Sequence, residues 1–330
     1  MRACYRLMLP IVLLLWAGCA ALPSGQAAEP RLQRIDDFIV IQTVAGDTLS
    51  NLAEKFLKDP SQAWVIAEFN DISEVVPGTQ LIIPLWTYSR GGLKSNGYQT
   101  VPVLTYHSFS LDKPGKMTVT AAAFEAQMKF LKENGYRFIS LSQLIEFMDY
   151  KAPLPSRAVA ITIDDGWRSF YEIGLPILKK YGIPATLFVY TDFIGGSKAM
   201  TWNQVKDVAE SGIDIQCHTR THRNLTVLRE KESLKEYLSA VEAEIVTSQK
   251  EIKSRLNREC RYLAYPYGKT NSLVISMLQK HGYRAGFTVS REANAFFNDQ
   301  YRIGRAVIYG TYDMDRFKRN LSVFHPMVLK

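Results

Sequence analysis

The sequence predicts an α/β protein whose larger part is a distorted parallel (β/α) barrel, preceded by a small βααβ domain. Three observations lead there. From Val101 onward, short β-branched runs alternate with helical patterns. Between Phe38 and Leu85 the pattern is strand, helix, helix, strand. A Gly- and Ser-containing stretch separates the two regions. A chain of 330 residues has room for one large domain and a smaller one. Its 47% hydrophobic, 12% aromatic and 22% charged residues match a packed globular protein rather than a disordered or fibrous one.

Residues 1–28 read as a targeting segment. Arg2 and Arg6 supply positive charge, and Leu7 to Ala17 is apolar but too short to cross a bilayer core of ~30 Å as a helix. Export is therefore expected. Trp16-Ala17-Gly18-Cys19 resembles a bacterial lipoprotein cleavage box, with Trp16 where that pattern has Leu. Cleavage there would make Cys19 a lipid anchor next to Ala20, which in a Gram-negative cell points to the outer membrane. Gln26-Ala27-Ala28 resembles an ordinary signal peptidase site and would leave a periplasmic protein. Beyond this segment only Cys217 and Cys260 remain, and both pairing and buried free thiols stay open.

The formal charge of +8 is carried by no run of consecutive Lys and Arg, and this argues against a nucleic-acid partner, whose phosphates need clustered positive charge. From Arg229 to Glu259, Glu232, Lys235, Glu236, Glu244, Lys250 and Glu251 alternate in sign, the pattern of a solvated helix face.

In the small domain, Phe38 to Val44 is β-rich and Gly46-Asp47 turns the chain. Thr48 can cap a helix with Leu49, Leu52, Ala53 and Phe56 on one face. A second helix is predicted over 61–69, and Pro77-Gly78 leads into the strand Gln80 to Pro84. Val44-Ala45-Gly46-Asp47-Thr48-Leu49, Asn70 and Pro77-Gly78-Thr79-Gln80-Leu81-Ile82-Ile83-Pro84 resemble the beginning, middle and end of a LysM module. The resemblance covers residues 38–85 and implies binding to the N-acetylglucosamine backbone of peptidoglycan or a chitin-like glycan. Residues 86–99, with Gly91-Gly92, Ser95, Asn96 and Gly97, read as a linker, and the large domain is assigned to residues 100–330.

In the large domain, strands are predicted at Val101–Tyr106, Val159–Ile163, Ala185–Tyr190, Ile213–Gln216 and Tyr262–Tyr265, with helices near 121–134 and 171–181. Functional residues of such a fold lie at the C-terminal strand ends. Asp164 and Asp165 end the apolar run Thr162-Ile163, and Gly166 then turns the chain. A lone Asp there would be read as a helix cap. Paired carboxylates in the company of histidines can instead divide their labour, one coordinating a metal and the other staying off it as a base. His218-Thr219-Arg220-Thr221-His222 follows the next predicted strand but one, and its imidazoles can converge on one ion if the residues between them make a helical turn. His107 also follows a strand, whereas His281 fits a helix-end contact and His325 shows no role.

These residues resemble the NodB-type polysaccharide deacetylases of carbohydrate esterase family 4. Thr162-Ile163-Asp164-Asp165-Gly166 matches the first motif, His218-Thr219-Arg220-Thr221-His222 the second, and Tyr265-Pro266-Tyr267-Gly268 resembles the third. The similarity spans nearly all of 100–309. It implies Asp164 as general base, Asp165, His218 and His222 as metal ligands, and the Tyr267 backbone N–H as an oxyanion donor. Trp167, Tyr265 and Pro266, beside the motifs, become candidate substrate contacts. Zinc is the expected ion for an Asp-His-His set, with nickel, cobalt or manganese also compatible.

The third motif usually carries an Arg that orients the base, and Ala264 stands there instead; the fourth and fifth motifs are absent. Arg302 or Arg305 are candidates for the lost positive charge. Val103-Leu104-Thr105-Tyr106-His107-Ser108 resembles the branch containing poly-N-acetylglucosamine deacetylases, which makes His107 the candidate acid. The resemblance implies removal of N-acetyl groups from peptidoglycan or poly-N-acetylglucosamine. An O-acetyl polysaccharide esterase and an inactive glycan-binding wall protein are the alternatives.

Overall fold

The structure is a computed structural model that describes residues 32–35, 37–85, 90–94 and 96–327. The targeting segment and Cys19 lie outside the described residues. The chain forms two compact units that divide between Leu85 and Trp86.

In the first unit, β1 (Leu32–Ile35) and β2 (Phe38–Gln42) form an antiparallel hairpin. Helices α1 (Leu49–Leu57) and α2 (Ala63–Phe69) follow, and β3 (Gln80–Pro84) returns antiparallel to β2. The predicted strand-helix-helix-strand order is present, and β1 is an added edge strand that the sequence reading lacked. Thr48 and Asn51 make a reciprocal capping box at α1. Ile39, Ile41, Leu52, Ala53, Ile66, Leu81 and Ile83 form the core. Asn70 ties α2 to β3: its side-chain amide donates to the Ile66 and Ile82 carbonyls, and its oxygen accepts from the Ile82 N–H, each at 2.8 Å.

The second unit opens with β4 (Leu93–Lys94) and β5 (Gly97–Gln99). The chain continues through β6 (Val103–Tyr106), the short parallel pair β7 (Ser108–Ser110) and β8 (Thr118–Thr120), α3 (Ala121–Glu133), β9 (Arg137–Phe138) and α4 (Leu141–Met148). Next come β10 (Ala158–Asp165), α5 (Leu175–Tyr181), β11 (Thr186–Val189), α6 (Trp202–Glu210), β12 (Asp214–Cys217) and α7 (Leu234–Leu256). The last elements are β13 (Tyr262–Ala264), α8 (Ser272–Lys280), β14 (Ala285–Phe287), β15 (Ala306–Val307), α9 (Met314–Lys318) and β16 (Phe324–Pro326).

The main sheet runs β14-β13-β12-β11-β10-β6-β15, all parallel, with β9 beside the start of β10. Phe287 forms a parallel bridge to Ile303, and the Ile303 N–H reaches the Gly286 carbonyl at 3.0 Å. Because Ile303 leads into β15, the curled sheet closes on itself as a distorted barrel. All eight residues of β10 are buried, as expected of a parallel strand covered on both faces. Val103, Ala160, Phe188, Ala264, Phe287 and Ile303 form one buried cluster with α4, and a larger cluster lies between the sheet and the remaining helices. Ser140, Thr201 and Ser233 begin α4, α6 and α7 with capping boxes. Among the described residues no helix is long and apolar enough to cross a membrane.

Residues 90–99 are not a linker. Leu93 and Lys94 pair with β5, and β5 pairs antiparallel with the C-terminal β16. This places residues 90–99 inside the second unit; their glycines suggested a linker but serve a tight hairpin, and Gly97 sits where a Cβ would strike the Phe324 ring.

Candidate active site

Asp164 ends the row Ala160, Thr162, Asp164 on one face of β10, following the two-residue side-chain alternation of a strand. Its carboxylate meets Arg305, the residue before β15, in a two-pronged pair: Nη1 to Oδ1 at 2.7 Å and Nη2 to Oδ2 at 2.8 Å. Arg305 is fully buried, and its Nε donates to the Thr288 carbonyl at 3.1 Å while the guanidinium lies 5.3 Å from the Phe188 ring centre. Burial pushes the Asp164 carboxyl up, but Arg305 and then His218 outweigh it and hold the pKa down at about 2. The group is a carboxylate at neutral pH. Arg305 thus supplies the positive charge absent at Ala264, whereas Arg302 faces Asp299 at 3.3 Å.

Asp165 turns the other way. It has φ +79°, and Gly166 follows at φ +104°, where a Cβ would come within 2.6 Å of Ile194. Asp165 Oδ1 lies 3.5 Å from His218 Nε2 and 3.7 Å from His222 Nε2. These three residues form a cluster able to hold a metal ion. Tetrahedral bonds of ~2.05 Å put neighbouring donors about 3.3 Å apart, so the set fits with small closure. Each ligand is held from behind. Trp167 Nε1 donates to Asp165 Oδ2 at 2.8 Å. His218 Nδ1 is 2.7 Å from the Ala264 carbonyl, which leaves Nε2 for the ion. Burial and the neighbouring His218 lower the His222 pKa to about 4, keeping it the neutral imidazole that a ligand must be.

The two histidines do not converge through a helical turn. Thr219 at φ +70° and His222 at φ +62° bend the segment into a tight loop. A β-branched residue in that conformation needs outside support. Glu244 of α7 provides it, accepting the Arg220 and Thr221 N–H groups at 3.0 and 2.8 Å and the Thr221 hydroxyl at 2.5 Å. Glu244 is buried, and Glu232 grips the buried Arg223 with contacts of 2.8 and 2.6 Å. Neither belongs to the solvated face expected for this stretch.

His107 lies with Nε2 4.0 Å from Asp164 Oδ2, the same oxygen that lies 3.9 Å from His218 Nε2. Burial lowers its pKa, against the pull of Asp164 and Asp165. Its buried Nδ1 has no hydrogen-bond partner among the described residues. Tyr267, at φ +59° after β13, is 60% exposed and sets its ring 4.8 Å from that of His222. Tyr265 and Pro266, expected as substrate contacts, are buried instead. The Tyr265 hydroxyl donates to the Tyr301 carbonyl at 2.9 Å, and the ring lies against β14 where Gly286 makes room. Trp167, also read as a sugar platform, packs edge-on against Phe193 at 4.9 Å while orienting Asp165. Tyr190 stacks on Phe193 and lies 5.1 Å from His222. Cys217 and Cys260 are buried free thiols. His281 caps α8 and reaches Glu242 at 2.7 Å, and His325 stacks on Tyr98.

A barrel mouth that sets an ionised carboxylate and a basic imidazole beside a three-donor metal cluster is that of a hydrolytic enzyme. The family pattern described as polysaccharide deacetylase matches residues 151–286. The poly-beta-1,6-N-acetyl-D-glucosamine N-deacetylase of Staphylococcus epidermidis is 32% identical over 197 residues, 58% of this chain and 68% of that one. The de-N-acetylase of Aggregatibacter actinomycetemcomitans superposes with TM-score 0.61 at 26% identity, over 67% of this chain and 99% of that one. The Streptococcus pyogenes deacetylase PplD shares the fold with TM-score 0.60 at 24% identity, over 68% of this chain and 99% of its own. The chain belongs to the polysaccharide deacetylase family.

Two substitutions test the supports. Glu244→Gln should weaken metal retention about 10- to 100-fold, measured by competition with a chelator, while far-UV circular dichroism stays native. Arg305→Lys keeps a charge but loses the fork, and kcat should fall about 100-fold with KM little changed. Wild-type kcat in that variant would show that Asp164 needs only a nearby charge.

Proposed function

We propose that this protein hydrolyses N-acetyl groups from N-acetylglucosamine units of a cell-wall or extracellular polysaccharide, peptidoglycan or poly-N-acetylglucosamine. The observation that carries the reading is the Asp164–Arg305 pair set against the Asp165, His218 and His222 cluster. The names of the relatives point to the N-linked acetyl group.

Asp165, His218 and His222 would hold a divalent ion, zinc before nickel, cobalt or manganese, whose chemistry is to polarise the acetyl carbonyl and acidify a water. Asp164 removes the proton from the attacking water as the C–O bond forms. His107, neutral at rest, is within 4.0 Å of Asp164 to gain that proton and pass it to the amide nitrogen as the C–N bond breaks. The Tyr267 backbone N–H donates to the oxyanion of the tetrahedral intermediate. Acetate and a free amine leave. The Arg305 pair speaks against an inactive wall protein, because a positive charge like that absent from the third motif meets Asp164 in space.

Residues 38–85 act as a LysM tether to peptidoglycan or a chitin-like glycan, and the observed strand-helix-helix-strand order supports that reading. Export rests on the pattern of residues 1–28, with Cys19 as an outer-membrane lipid anchor.

Metal-reconstituted protein should release acetate from N-acetylglucosamine oligomers or peptidoglycan, and Asp164→Asn and His222→Ala should each abolish it. Release accompanied by new hydroxyls rather than new amines would transfer the activity to O-acetyl esters. The full chain should also sediment with insoluble peptidoglycan, and a chain lacking residues 38–85 should remain in the supernatant. Equal sedimentation of both would remove the tether.

A further inference from the structure

Arg291, Tyr312, Arg316, Arg319 and Asn320 line a cavity of about 360 Å³ between the segment after β14 and helix α9. Three guanidiniums face one hollow, and among the described residues none of them is in an ion pair. Of the acids close in sequence, Asp313 caps α9 through the Arg316 N–H at 2.7 Å and Asp315 lies 3.7 Å from Lys318, while Glu292, next to Arg291, forms no ion pair with the three among the described residues. Arg291 bonds the Tyr312 hydroxyl and lies 5.6 Å from that ring's centre, so its side chain is held over the cavity. Asn320 gives its amide to the Arg316 and Phe317 carbonyls, leaving the hollow to the cations.

The place of the cavity connects it to the chemistry. Thr288, at the exit of β14, accepts the Arg305 hydrogen bond that helps position Asp164. Arg291 is three residues further on, at most about 10 Å of extended chain. Tyr312 lies five residues beyond β15, past the C-terminal end of that strand, which in a parallel barrel faces the mouth. The segments that carry the arginines therefore follow the C-terminal ends of β14 and β15, the strand ends that face the mouth.

A deacetylase makes its glycan more cationic, because each liberated amine is protonated at neutral pH. Three guanidiniums with no ion-pair partner near such a site work against a cationic chain and favour one that carries negative charge. The guanidinium fork matches a carboxylate or a phosphate two hydrogen bonds at a time. We infer that Arg291, Arg316 and Arg319 form a subsite for an anionic substituent, carboxylate or phosphate, on the acetylated polysaccharide. The inference rests on the deacetylase reading and narrows its substrate to an acidic glycan.

The test compares N-acetylglucosamine oligomers with the same oligomers O-carboxymethylated or O-phosphorylated, using the full metal-loaded chain. Wild type should show a KM about tenfold lower on at least one anionic series, and the advantage should shrink as salt shortens the screening length from ~10 Å at 0.1 M. The two series separate the carboxylate from the phosphate. The triple substitution R291Q/R316Q/R319Q should bring the ratio of anionic to neutral KM to about one, and the triple Lys variant should keep part of the advantage. Equal KM on all three series in wild type, or equal losses on all three in the Gln variant, overturns the subsite. If wild type releases acetate from none of them, the deacetylase reading fails by itself. The subsite is then judged by binding: anionic oligomers held about tenfold more tightly by wild type than by the Gln variant sustain it, and equal binding overturns it.

Discussion

The pair between Asp164 and Arg305 constrains the rest of the active site. A carboxylate and a guanidinium removed from water each lose several kcal/mol of solvation, and only close geometry with further hydrogen bonds offsets that loss. Here the two prongs, the Thr288 carbonyl and the Phe188 ring face account for the buried guanidinium. Such a pair adds little net stability over an apolar replacement, but removing one member strands the other at a cost of about 3–5 kcal/mol. Its contribution is orientation. It aims an ionised carboxylate at the mouth of the barrel from a guanidinium that precedes β15, the strand that pairs with β6 on one side and whose lead-in, Ile303, bridges to Phe287 of β14 to close the ring.

The metal cluster is built on a different principle, local backbone strain held by neighbours. Asp165, Thr219, His222 and Tyr267 all adopt positive φ, each at a cost of about 1–3 kcal/mol for residues other than glycine. Polar contacts support the first three. Glu244 gathers two N–H groups and a hydroxyl of the 218–222 loop, the Thr219 hydroxyl accepts the His222 N–H at 3.1 Å, and Ala264 and Trp167 fix His218 and Asp165. A loop tied to α7 in this way presents its imidazoles without any regular secondary structure of its own.

Much of this was legible in the sequence where chemistry and pattern coincide. Two carboxylates ending an apolar strand and two histidines four apart identified the cluster, and alternating strands and helices identified the barrel. What escaped reading depends on long-range packing. Glu244 is 22 residues beyond His222 in a stretch of mixed charge, and nothing local distinguishes a buried clamp from a solvated acid. Tyr265 sits in a motif, but its direction is set by the space left by Gly286 on the neighbouring strand. Glycines at 91, 92 and 97 signal tight backbone, which a linker and a close-packed hairpin share. Arg302 and Arg305 were equivalent by composition, and the position of the strand in the ring separated them.

The sheet order explains how adjacent aspartates come to differ in role. β10 has β6 on one side, with β15 next, and β11 on the other, with β12 next. Asp164 therefore faces the imidazole that follows β6 and the guanidinium that precedes β15, while its Oδ2 also lies 3.9 Å from His218 Nε2 at the edge of the cluster. Asp165, one residue on and turned by its positive φ, faces the loop after β12. Had β10 stopped in regular extended geometry, alternation would have sent the second carboxylate away from the mouth. The left-handed turn at Asp165, made passable by Gly166, lets two consecutive residues serve two sides of one barrel. The Asp164–Arg305 pair and the Asp165, His218 and His222 cluster are thereby built from two sides of a single strand, and they approach each other to 3.9 Å between Asp164 Oδ2 and His218 Nε2.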